Sequence, residues 1–209
     1  MSAIRMGMLL TRPLARAVPW WPLAAAAALA VLSQLPALLA EPTPGLALPG
    51  LRLAAAALGA AVCFALPDRM ASTVMAPSPR WIRQWLRVAL VLLPATTVWV
   101  LLYLAIVAVN GQIVVGPIGP VTMQAAVCGL IPLAAAAVAA RYRDDLGAAS
   151  AGPLVQGVAL VGTLFFTGTK SPWPIPQETG WTNAQLCWPP ALALSAAVLL
   201  LANREVFRS

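Results

Sequence analysis

The chain is 209 residues long, 61% hydrophobic and only 9% charged, with a mean hydropathy of +0.85 and a pI of about 10.7. Soluble domains carry about 25% charged residues, so this composition excludes a soluble enzyme or binding module and places the chain in a bilayer. The net charge of +7 invites a nucleic-acid reading. The arginines, however, stand at the ends of apolar runs rather than on one face of a folded domain, so nucleic acid is not an expected partner.

The chain opens on a basic segment, residues 1–17, in which Arg5, Arg12 and Arg16 are spaced to share one side of a helix beside Met6, Met8, Leu9 and Leu10. This predicts an amphipathic helix lying on the inner membrane surface and bent by Pro13, with Trp20 and Trp21 marking the interface. A cleaved signal peptide ending at Ala40 is the alternative. Its apolar run is too long for the usual core of 7–15 residues, and Leu38 is bulky for a cleavage site, so a retained helix is expected.

Each membrane-spanning helix needs about 20 mostly apolar residues. Six stretches meet that need, at about 20–39, 46–66, 88–109, 121–140, 147–167 and 188–202, and they nearly exhaust the chain. The runs are unbroken Ala, Leu and Val rather than alternating, which predicts helices and not barrel strands. The expected fold is therefore all-α, a single polytopic helical bundle over 1–209. The fifth stretch is diluted by Ser150, Pro153 and Gln156, and the sixth is short and opens on Pro189 and Pro190. Pro36, Pro94, Pro132 and Pro153 should kink their helices, while Gln34, Thr96, Thr97, Gln124, Gln156 and Thr163 are candidates for bonds between helices.

Arg52 lies about six residues into the second run. A charge buried in lipid costs at least about 2.5–3.5 kcal/mol on insertion scales. The expectation is that the span begins near Arg52, which snorkels to the outer interface and pairs with Glu41; a place in a substrate path is the sharper alternative.

Between the second and third runs lies the segment 67–87. Its first part contains Ser72, Thr73, Val74 and Met75 between prolines, and on spacing reads as an inner loop or a docking stretch. In its second part Arg80, Arg83 and Arg87 share one helical face and Trp81 and Trp85 stack on another, a predicted collar of inner-interface anchors. The loop 168–187 is the longest on the opposite side, and with Trp188 it brings three tryptophans, Trp173, Trp181 and Trp188, to one membrane edge. A belt of interfacial anchors is the default reading of these tryptophans, and a cap over a central cavity the sharper one.

Basic residues near span ends stay in the cytoplasm. Arg5, Arg12, Arg16, Arg69, Arg80, Arg83, Arg87, Arg141, Arg143, Arg204 and Arg208 all fall on one side of a six-span arrangement, and Lys170 falls on the other. Both termini are therefore expected inside, with the chain in a plasma membrane.

The chain has no histidine, and its acidic residues, Glu41, Asp68, Asp144, Asp145, Glu178 and Glu205, stand at span ends or in loops. Embedded hydrolases and proton-coupled carriers need His or acidic groups within the membrane. No enzymatic activity, cofactor or metal site is expected. Cys63, Cys128 and Cys187 offer no pairing from sequence, and Lys170 does not complete a GxxxxGK[ST] nucleotide loop.

The basic N-terminal helix, the stretch from Pro77 to Arg87, the turn Arg141-Tyr-Arg-Asp-Asp145 followed by Gly147 to Pro153, and the closing Asn203 to Arg208 together resemble the small Ala- and Arg-rich permeases of actinobacterial ABC transporters. That resemblance implies an ABC-2 exporter-like membrane subunit that forms a homo- or heterodimer and works with a separate ATP-binding cassette subunit. It further implies a coupling helix at about 67–80, with Ser72 to Met75 contacting the ATPase, and an outer re-entrant cap at 169–188. A non-transporting accessory, anchoring or immunity protein is the alternative function.

Overall fold

The computed structural model describes residues 14–39, 44–67, 80–143 and 146–204. Among them there is no strand. Residues 14–17 form one helical turn, and after it come α1 (Trp21–Leu39), α2 (Pro44–Val62), α3 (Arg80–Asn110), the one-turn α4 (Gln112–Val115), α5 (Ile118–Ala139), α6 (Leu146–Thr163), the short α7 (Trp181–Gln185) and α8 (Trp188–Ala202). A 3-10 turn, Cys63–Ala65, prolongs α2, and another, Gly168–Lys170, follows α6.

Five helical segments are long and apolar enough to cross a membrane: Trp21–Leu39, Gly45–Ala65, Gln84–Asn110, Ile118–Ala139 and Trp181–Ala202. The protein is thus a helical membrane protein. The stretch expected as the fifth span is helical as α6, but it stops at Thr163, before the predicted 167. Residues 164–167 leave the helix through turns. The third element is longer than its apolar run, because the Arg80–Arg87 portion continues the same helix without a break.

Alanine and glycine set how closely the helices approach. A Cβ on Gly59 of α2 would lie 2.6 Å from the Gly129 Cα of α5. One on Gly152 of α6 would lie 2.5 Å from both the Cys63 Sγ and the Pro132 carbonyl oxygen. Close backbone contact between small residues is how helices associate in lipid, where the surroundings are as apolar as the helices themselves. Ala30, Ala47, Leu48, Ile106 and Ala136 are fully excluded from the surface at the centre of this packing. By contrast α6 turns Leu154, Val158 and Val161 outward, at the i, i+4 and i+7 spacing of a lipid-facing stripe.

Proline does not break the bundle: Pro36, Pro49, Pro94, Pro132 and Pro153 all lie inside helices. Glycine does end them. Gly111, with φ 80°, closes α3 by donating its N–H to the Val107 carbonyl at 2.9 Å, and Gly116, with φ 97°, closes α4.

At the end of the bundle where α2 gives way to α3 and α5 to α6, two arginines tie backbone down. Arg87 Nη1 donates to the Pro67 carbonyl at 3.0 Å, and Arg141 Nη2 to the Arg204 carbonyl at 3.1 Å. The other end of the bundle is closed by α4 and the loop 164–180. There Gln177 Nε2 donates to the Ile113 carbonyl at 2.8 Å, and Pro176 packs on Gly116.

Candidate functional site

The most unusual side chain in the bundle is Arg52, on α2, which is only 9% exposed. Its free extension to the interface is not what the structure shows. All three guanidinium nitrogens are hydrogen-bonded: Nε to Gln124 Oε1 of α5 at 2.9 Å, Nη1 to the Trp173 carbonyl at 2.8 Å, and Nη2 to the Pro174 carbonyl at 2.7 Å. The guanidinium carbon also lies 5.3 Å from the Trp173 ring centroid, within cation–π range. Among the described residues no carboxylate hydrogen-bonds Arg52. Glu178 contributes opposite charge at longer range, and Glu41, its expected partner, lies outside the described residues.

The loop offers those two carbonyls for a local reason. In Pro172-Trp-Pro-Ile-Pro176 each residue before a proline is held extended, and the prolines supply no N–H. No helical ladder consumes the carbonyls, so they remain as acceptors for a donor from below. Arginine suits the task because its planar fork carries several donors in fixed directions.

Secondary contacts hold the clasp in place. Gln124, 1% exposed, accepts from Arg52 and donates through Nε2 to Gln185 Oε1 at 3.1 Å, and Gln185 Nε2 reaches the Trp181 carbonyl at 3.3 Å. Trp173 Nε1 donates to Thr163 Oγ1 at 2.7 Å, and the Trp173 and Trp188 rings meet with centroids 4.9 Å apart. Ile175 N–H donates to Glu178 Oε2 at 3.2 Å, bracing the turn that follows. One buried cation thereby ties α2 and α5 to the loop that closes this end of the bundle.

The tryptophans are accordingly not a simple belt. Trp188 is buried, Trp173 and Trp181 pack against the core, and among the described residues Trp20 and Trp21 at the start of α1 are the exposed ones. Of the predicted inner anchors, Arg87 departs most from expectation. It is 4% exposed and turned onto the Pro67 carbonyl, because a helix that runs unbroken from Arg80 carries position 87 inside the bundle. Trp85 is partly buried against the core. Arg80, Trp81 and Arg83 lie in the first turn of α3, but their side chains lie outside the described residues, as do Ser72, Thr73, Val74 and Met75 altogether.

The polar residues singled out for bonds between helices divide. Gln124 and Gln156 make such contacts, Gln156 Nε2 donating to the Cys128 carbonyl at 2.9 Å, while Thr163 bonds back to Leu160 of its own helix and accepts from Trp173 of the loop. Thr96 and Thr97 bond back to Leu93 of their own helix. Among the described residues Gln34 has no partner for either amide atom. Sequence reasoning did not single out Gln185 or the loop carbonyls. The available signal was Arg52 itself, since an arginine inside an apolar run demands several acceptors, and a proline-rich loop is where free carbonyls gather.

The described contacts of this site hold the loop and orient it on the bundle. Among the described residues no three His, Cys, Asp or Glu side chains gather as metal ligands, and all three cysteines are free thiols. No family model, no curated protein and no solved structure matches the chain.

Proposed function

We propose that the protein is the membrane-spanning permease subunit of an ABC-2-type exporter, with six spans and both termini in the cytoplasm of a bacterial plasma membrane. The observation that carries the transport reading is the Arg52 clasp. An ionisable residue embedded in a membrane domain points by default to a functional site, and here all its hydrogen bonds run to groups that hold a loop across the bundle end. That loop is the gate. In this reading α6 is the remaining span, and two copies of the subunit form the translocation path between them.

The energy comes from a separate ATP-binding cassette subunit, since the chain contains no histidine and no nucleotide loop. The ATPase docks on the segment 67–80, with Ser72, Thr73, Val74 and Met75 at the contact. Support comes from the adjoining residue, Pro67, whose carbonyl is fixed by Arg87 of α3, so that a push on the segment reaches a spanning helix. The solute is amphipathic, and no cofactor resides in this chain.

A non-transporting accessory or immunity protein is the second reading. It is favoured by the grouping of Gln34, Arg52, Asn110 and Gln124, four of the buried polar residues, toward the loop end, where they serve to hold the bundle together. Co-purification from detergent extracts separates the two. The permease reading expects an ATPase to accompany the chain, and expects Thr73→Ala with Met75→Ala to lower ATP-driven solute movement into inverted vesicles. If no ATPase co-purifies and the double variant transports as well as the parent, the permease reading is wrong.

A further inference from the structure

Helices α6 and α8 both pack on α5 but hardly on each other, which leaves a half-open cavity of about 190 Å³ between them, beneath the Trp173 end of the loop. Ile131 of α5 stands at its floor, Ala159 and Leu160 of α6 on one side, Ala191 of α8 on the other, and Trp173 at its roof. The accessible wall is almost wholly apolar. Gln156 and Trp188 border it, but Gln156 Oε1 and Trp188 Nε1 are covered by their neighbours, so a polar ligand finds no partner inside. An engineered cavity of about 150 Å³ in another protein stays dry and takes up benzene or xenon, so this one has room for a stretch of hydrocarbon.

The opening faces the bilayer. Val155 and Val158 on the α6 rim and Leu194 on the α8 rim are all exposed, and apolar side chains turned out from a membrane bundle lie against lipid tails. Just past α6, Leu164, Phe165 and Phe166 are exposed too, and the polar turn Gly168–Lys170 follows them. The chain therefore leaves the hydrocarbon between Phe166 and Lys170, which puts the exposed Lys170 ammonium at headgroup level. Lys170 is two residues from Pro172, which belongs to the cavity wall. The other charges described at this end are engaged: Arg52 donates to the loop carbonyls, and Glu178 accepts from the Ile175 N–H. An apolar cleft and an exposed cation thus stand one above the other, as the tail and headgroup of a lipid do.

We propose that this cleft is a binding site for one anionic phospholipid, an acyl chain lying between α6 and α8 and the headgroup phosphate meeting Lys170. A helix is about 10 Å across and does not enter a cavity of this size, whereas a single hydrocarbon chain does. Lipid tails are as apolar as the walls, so the chain fills the cleft without preference among lipids. The charge on Lys170 makes the choice, favouring a net negative headgroup over one that carries its own ammonium. The inference stands apart from the transport reading, since it requires no partner subunit and no movement of the loop.

The test is native mass spectrometry of the full chain released from detergent micelles and titrated with palmitoyl-oleoyl phosphatidylglycerol or phosphatidylcholine. The expected result is saturable retention of one phosphatidylglycerol per chain, about 5-fold tighter than phosphatidylcholine, the effect of one basic residue beside an anionic headgroup. Lys170→Gln should reduce that preference to less than about 2-fold while phosphatidylcholine binds as before. Ala159→Trp should fill the cleft and abolish retention of both lipids. If Ala159→Trp does not fold, Ala191→Trp closes the cleft from the opposite side and must do the same. Absence of a saturable adduct overturns the proposal, and so does an adduct that survives closure of the cleft or a preference that survives Lys170→Gln. A dimer that excludes the lipid and is broken by Ala159→Trp would place a second copy in the cleft, and would likewise overturn it.

Discussion

Gln34 and Arg52 stand on neighbouring helices near the same end of the bundle, both buried, and they have opposite fates. Arg52 has a partner for every nitrogen. Gln34, fully excluded from the surface, has none among the described residues for either amide atom, and its amide is pressed against Gly50 so closely that a Cβ there would lie 2.8 Å from Nε2. The difference is one of reach. Arg52 extends to a loop whose carbonyls are free, whereas Gln34 faces a helix whose carbonyls already belong to its own ladder. A polar group inside a membrane bundle is satisfied by irregular backbone or by another side chain, and without one nearby it stays bare.

Removing the clasp should have the largest effect. Arg52→Met leaves the Trp173 and Pro174 carbonyls and Gln124 Oε1 without their donor. Hydrogen bonds to charged groups contribute about 1.5–3 kcal/mol each, so amide exchange of residues 175–180 should speed up by about 10- to 100-fold, while exchange in α2 and α5 changes little. Unchanged protection in the loop would show that Arg52 does not hold it.

Gln124→Leu should cost less, about 1–3 kcal/mol of thermal stability in detergent, because it strands Arg52 Nε and Gln185 Oε1 but leaves both loop carbonyls engaged. If it opened the loop as far as Arg52→Met does, Gln124 rather than the carbonyls would be the principal partner.

Gln34→Met should act in the other direction and raise stability by about 1 kcal/mol, since a thioether of similar shape replaces an amide with two unmet bonds. Destabilisation instead would mean that the amide is paired in the assembled protein. Gly50→Ala should show the smallest change, within about 1 kcal/mol, because the helix-propensity gain of losing glycine offsets contact with the Gln34 amide. Combined with Gln34→Ala it should become stabilising, and a melting series on the four chains measures the coupling.

Much of the architecture was legible in the residues. The runs of Ala, Leu and Val specified helices because a backbone in lipid must bond within its own segment, and the last helix, Trp188–Ala202, lies where the run 188–202 placed it. Less legible was where polar side chains would go. Arg87 reads as an interfacial anchor until α3 is seen to run unbroken from Arg80, and Arg52 reads as a snorkelling cation until the loop is seen to fold over it. Thr96 and Gln124 look alike in an apolar run, yet one bonds to its own turn and the other joins three elements.

The sequence by itself determined a helical membrane chain with arginines at the ends of its apolar runs, because apolar length and charge placement are properties of the order of residues alone. The tertiary structure decided that Arg52 closes a loop, that Gln34 finds no partner among the described residues, and that Gln156 and Trp188 line one pocket. Those outcomes depend on which groups from distant segments come within about 3 Å of one another, and no local pattern encodes that distance.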